Sequence, residues 1–119
     1  MRKLDKHLIG LTGEYLVAGM MSLKGWVASL TLKNYPSVDI FGMNPEIEKT
    51  INIQVKTTKN HKSYQIGLMR SQRNNILGKI TCPFVFVHID KTDDVRYFIL
   101  FQNELVSLII ETDDEYFNR

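Results

Sequence analysis

The spacing of apolar and polar positions changes several times along the chain, and each change marks an element. From Asp5 to Lys24 the period is helical: Leu8, Leu11, Tyr15, Ala18 and Ser22 fall on one stripe, with Ile9, Leu16, Met20 and Leu23 beside it. A stripe that wide predicts a helix packed on a sheet or between layers. Lys24 and Gly25 then place a cation and a residue free to take the left-handed cap at the helix end. Trp26–Leu32 reads as a strand, residues 33–37 as a loop, and Val38–Met43 as a second strand. The run from Asn44 to Lys49, built on Asn44 and Pro45, reads as a turn-rich connection. In Ile51–Thr57 the period falls to two: Ile51, Ile53 and Val55 are apolar, while Asn52, Gln54 and Lys56 are polar. This is a half-buried strand, predicted to pair antiparallel with the one before it.

The pattern then loosens. Residues 63–70 read as an irregular strand or the start of a helix, and Ser71 is the candidate N-cap of a short helix or loop. Pro83–Ile89 is continuously apolar, which predicts a central strand covered on both faces. Residues 91–94 form a turn, Val95–Phe101 another strand, and helical spacing resumes after it with Asn103 as its cap. Trp26, Phe84, Phe86, Phe98 and Phe101 sit at core-like positions. The expected whole is one α/β domain over residues 1–119.

Composition narrows the function classes. No apolar run approaches the roughly 18 residues of a membrane span. The N-terminus begins basic and turns apolar, but Asp5 and Glu14 interrupt it, so it reads as a structural helix rather than a leader. The single cysteine, Cys82, rules out an intramolecular disulfide and a multi-cysteine zinc site, and the expected compartment is the cytoplasm. His7, His61 and His88 lack metal-ligand spacing. Cys82, at the edge of an apolar strand, reads as buried rather than nucleophilic.

Charge is unevenly spread. From Lys49 to Ile89 there is no Asp or Glu, yet seven cations: Lys49, Lys56, Lys59, Lys62, Arg70, Arg73 and Lys79. From Asp90 onward there are eight acids and three bases. A purely basic middle third suits a polyanion such as nucleic acid. Pairing between the middle's bases and the tail's acids explains the same numbers.

Chemistry concentrates at the hairpin. Opposed positions of an antiparallel pair set Asp39 across from Gln54 to Lys56. Gln54 and Lys56 are two apart and share a face. A carboxylate, an amide and an amine so placed suit phosphodiester cleavage: hard oxygens for Mg²⁺, and a cation for charge growing on the phosphoryl group. Glu14 reaches the same point if the first helix packs on the sheet. Read alone, Lys56 is a solvated strand lysine, Gln54 a polar-face residue, Glu14 an exposed helix residue and Asp39 a turn cap.

Taken together, Gly13-Glu14 on a helix, then Asp39, then Gln54-Val55-Lys56 after a hairpin, resemble the PD-(D/E)XK nuclease superfamily. The likeness is best to its small prokaryotic branch with a D…QxK motif, related to Holliday junction resolvase-like proteins. It covers roughly residues 8–58 closely and the later strands loosely. It implies a restriction endonuclease-like αβββαβ core, a mixed central sheet flanked by helices. By this resemblance Asp39 binds the metal, Gln54 fills the D/E position with the Val55 carbonyl beside it, Lys56 is the catalytic lysine, and Glu14 supports metal or water. The implied cofactor is Mg²⁺ (or Mn²⁺), the implied partner is DNA, and a homodimer is expected. Apart from the resemblance, Thr57, Thr58, Lys59, His61, Lys62, Arg70 and Arg73 read as phosphate contacts or equally as a mobile loop. Two departures stand out: Val38 precedes Asp39 where the pattern has Pro, and neutral Gln54 replaces an acid. A non-cleaving DNA-binding module and a small interaction protein are the alternatives.

Overall fold

A computed structural model describes residues 5–32, 38–60, 82–104 and 107–108. The segments read above as 33–37 and 63–79, the cations Lys62, Arg70 and Arg73, and His61 lie outside the described residues. The order is one helix, α1 (Lys6–Leu23), then β1 (Val27–Leu30), β2 (Ile40–Asn44), β3 (Lys49–Lys59), β4 (Phe84–Ile89) and β5 (Val95–Leu100). The five strands form one mixed sheet in sequence order. β1, β2 and β3 pair antiparallel, β3 and β4 run parallel, and β5 returns antiparallel on β4. The fold is thus α/β with a mixed sheet. Among the described residues, no helix is long and apolar enough to cross a membrane.

The helix begins where Asp5, in extended conformation, accepts a hydrogen bond from the His7 N–H at 2.7 Å. It ends where Gly25, at φ 92, takes the left-handed turn expected of it. Its buried face is not the stripe that the spacing favours. Gly13, Val17, Ala18 and Met21 face the sheet, while Leu8, Tyr15, Met20 and Leu23 are exposed. Apolar residues occur nearly all round this helix, so period alone leaves its rotation open. Packing selects the side with Gly13 and Ala18, because small residues let the helix approach the sheet closely.

The hairpin forms as its pattern predicts and is longer than expected on one arm. Asn44 Oδ1 accepts from the Glu46 N–H at 3.1 Å, and Glu48 adopts a positive φ to close the turn. The core lies between α1 and the sheet: Val17, Ala18 and Met21 against Ile40, Ile53, Val55, Val85, Val87 and Ile89. β4 is covered on both faces as its apolar run predicts, since Phe84 and Phe86 are buried on the side away from α1. Phe98 and Phe101 are more than half exposed, against their core assignment; β5 is the edge strand, and its side chains reach beyond the covered area. Helical backbone at 102–104 starts before Asn103 rather than after it. The Phe101 N–H donates to Glu104 Oε1 at 3.1 Å, so Glu104, not Asn103, completes the cap.

Candidate active site

The site is built where β2 breaks away from β3. The two strands pair from Asn44↔Lys49 to Ile40↔Ile53; extended by one step, the register sets Asp39 opposite Gln54. There the chain bends. The Asp39 N–H still donates to Ile53 O at 2.9 Å, but its carbonyl turns the other way and accepts from the Thr31 N–H at 2.9 Å. In a regular strand a residue's N–H and C=O leave on the same edge. The bend removes the backbone acceptor that Val55 would have met next. The Asp39 carboxylate replaces it: the Val55 N–H donates to Asp39 Oδ2 at 2.7 Å. Thr31 braces the bend with a hydroxyl donated to Val38 O at 2.5 Å.

This contact positions the carboxylate against the one peptide whose carbonyl completes the expected ligand set. By strand alternation the Val55 C=O leaves on the same edge as its N–H. Asp39 Oδ1 carries no hydrogen bond from the described residues and is available to a cation.

Glu14 arrives from α1. Burial pushes its carboxyl above the ordinary carboxylate value, and the nearby Asp39 carboxylate adds to the rise. Gly13 explains how the helix comes so close. A Cβ built there would overlap the Thr57 hydroxyl and lie 2.9 Å from Thr57 Cβ. Helix and strand therefore touch backbone to side chain at Gly13, with Glu14 next in line. The Thr57 Oγ1 is buried at this contact with no hydrogen-bond partner.

Gln54 and Lys56 sit on the opposite face. Ile53, Val55 and Thr57 point toward α1, so Gln54, Lys56 and Thr58 point away, beside Phe84, Phe86 and His88 of β4. Both are half-buried. Among the described residues Lys56 forms no ion pair with Asp39 or Glu14. The structure thus brings Asp39 and Val55 together directly and sets Glu14 within the field of Asp39, while Gln54 and Lys56 lie on the far side of the sheet. Thr58 Oγ1 meets His88 Nδ1 at 3.3 Å, and the register continues that row to Arg96 on β5. Lys59 is held by Asp93 at 2.6 Å.

Sequence reasoning missed Cys82 as a neighbour of this site. Burial pushes its thiol up, a hydrogen bond from the Gln54 backbone opposes the shift, and the Asp39 charge adds to it. No local signal reveals this, because the β3–β4 pairing that brings Cys82 here joins segments far apart in the chain.

The donor set fits a hard divalent cation in kind. The Asp39 carboxylate lies on the Val55 peptide, and its charge raises the Glu14 carboxyl from across the helix–sheet contact. In number it is lean: among the described residues no three of His, Cys, Asp and Glu cluster together. No protein-family model and no curated protein sequence matches the chain.

Proposed function

We propose that this chain is a Mg²⁺- or Mn²⁺-dependent endonuclease of the restriction endonuclease-like type, hydrolysing phosphodiester bonds in DNA. The observation that carries the reading is the Asp39 carboxylate, bent out of β2 onto the Val55 amide and near enough to raise the Glu14 carboxyl. An amide oxygen would serve the Val55 N–H as well, and a second carboxylate near enough to raise the Glu14 carboxyl costs stability unless a cation joins them. The order helix, three antiparallel strands, then a parallel fourth also suits such a core.

Asp39, Glu14 and the Val55 carbonyl would hold the metal, while the Gln54 amide, on the other face of β3, stands apart from them. When bound, the metal supplies Lewis-acid polarisation of the phosphate and a more acidic water. Asp39 keeps Oδ2 on Val55, so its free oxygen is fixed in direction. Glu14 is placed to accept a proton from a water at the edge. Lys56 contributes a cation for the charge that grows on the phosphoryl oxygens. Cutting both strands of a duplex would call for two copies, which is the basis for expecting a homodimer.

A second reading is favoured by one specific observation: neutral Gln54 and the lean donor set suit a DNA-binding module that no longer cleaves. One assay separates the two. Plasmid and branched DNA are incubated with protein in Mg²⁺ or Mn²⁺, beside Asp39→Ala and Lys56→Ala. The nuclease reading expects metal-dependent nicking that neither variant retains; equal background in all three overturns it, and salt-dependent DNA binding then supports the binding module.

A further inference from the structure

We infer that Gly13 and Thr57 are positioning residues that act as a spacer, setting the Glu14 carboxyl against Asp39. This deepens the metal-site reading above and rests on it. The helix has three glycines in its length, and they are not equivalent. A Cβ on Gly10 or Gly19 would meet nothing within 4 Å, whereas one on Gly13 would overlap the Thr57 hydroxyl and approach Thr57 Cβ and Cγ2 at 2.9 and 3.0 Å. All the nearest atoms belong to one side chain of β3, two residues beyond Val55. Its hydroxyl is buried there without a hydrogen-bond partner among the described residues, so polar satisfaction there does not account for a threonine at this position. Its volume does: it sets the height at which the helix rides over the strand.

Glu14 is the residue after Gly13, and Val55, which anchors Asp39, is two before Thr57. The contact is therefore one residue from Glu14 and two from the peptide that holds Asp39. Raising α1 by the thickness of a methyl group at Gly13 lifts Glu14 from Asp39 while leaving both carboxylates present. Gly13 and Thr57 touch neither metal nor substrate; their effect passes through Glu14.

The test is a graded series: Gly13→Ala alone, then combined with Thr57→Ala, then with Thr57→Gly. The added methyl meets the full threonine in the first, only a Cβ at 2.9 Å in the second, and no Thr57 side chain in the third. Crystal structures without metal read the Glu14–Asp39 separation, and electron paramagnetic resonance reads Mn²⁺ affinity. The expected separation is widest in Gly13→Ala and returns to the wild-type value in Gly13→Ala/Thr57→Gly. Mn²⁺ affinity falls about tenfold or more in the first, as when a supporting interaction around a metal site is removed, and recovers in the last. That recovery comes even though an added strand glycine lowers the melting temperature, so affinity and stability part company. If Gly13→Ala does not fold, the two double variants still differ by one methyl at the spacer. A Glu14–Asp39 separation that stays at the wild-type value across the folded variants overturns the inference. Wild-type protein that binds no Mn²⁺ overturns the metal reading instead, and the separations still decide the spacer.

Discussion

At the residue scale, a few atoms on helix α1 and strand β3 carry most of the consequences. Gly19→Ala fills open space on an exposed helical position and should stabilise the protein by about 0.5–1 kcal/mol in thermal or urea unfolding. Gly13→Ala gains the same propensity but meets Thr57, and overpacking of about 1–3 kcal/mol reverses the sign. Thr57→Val keeps the shape and removes the orphan hydroxyl, whose burial costs about 1–3 kcal/mol; unfolding should show it equal to or more stable than wild type. Glu14 gives a pH signature. Its folded-state pKa is raised by burial and by Asp39, so the folded state holds the proton more tightly than the unfolded chain. That contribution is fully present below the ordinary carboxyl value and lost as pH rises through the raised one. Metal-free Glu14→Gln should therefore melt higher than wild type at neutral pH, with the gap closing on acidification. A gap that widens in acid would contradict that burial.

At the element scale, the end of β2 is decided by Asp39. The hairpin, its turn and its register were legible from Ile51, Ile53, Val55 and the Asn44–Pro45 turn, because period two and turn chemistry are local properties. The bend was not legible: it depends on where Thr31 and Ile53 place their partners, and both are distant in sequence from Asp39. The role of Asp39 as an acceptor for Val55 makes a sharp prediction. Asp39→Ala leaves the Val55 N–H without its acceptor and should cost about 1–3 kcal/mol. Asp39→Asn keeps an oxygen in place and should recover most of that stability, yet lose metal affinity and cleavage with the charge. Equal stability of Ala and Asn variants would mean that the carboxylate does not hold the strand end.

At the scale of the whole molecule, the expected metal ligands and the expected DNA contacts fall on different parts of one sheet. Mg²⁺ or Mn²⁺ that binds only the folded state should raise the melting temperature, by about 2.7 kcal/mol of stability at a hundred times the dissociation constant. Asp39→Asn should abolish that rise. Lys56, Thr58, His88 and Arg96 share the sheet face away from α1. If DNA lies across it, the slope of log affinity against log salt should shrink by about 0.9 for each phosphate that a variant such as Arg96→Ala no longer neutralises. Lys59, tied to Asp93, should contribute less than its position in the basic run implies.

The sequence by itself determined the elements whose signals are local: the long helix with its Gly25 end, the antiparallel hairpin, the buried central strand, and the presence of an acid, an amide and an amine at that hairpin. Tertiary structure alone decided which side of the helix is buried, that Asp39 leaves its strand to bond Val55, that Glu14 shares its field, and that Gln54 and Lys56 lie across the sheet from them. The division has a physical cause. Periodicity and turn chemistry act over a few residues and leave their mark in the order of the chain. The rotation of an evenly apolar helix and the height at which it rides are set by close packing, here by a contact between Gly13 and Thr57 that leaves no room for a methyl group.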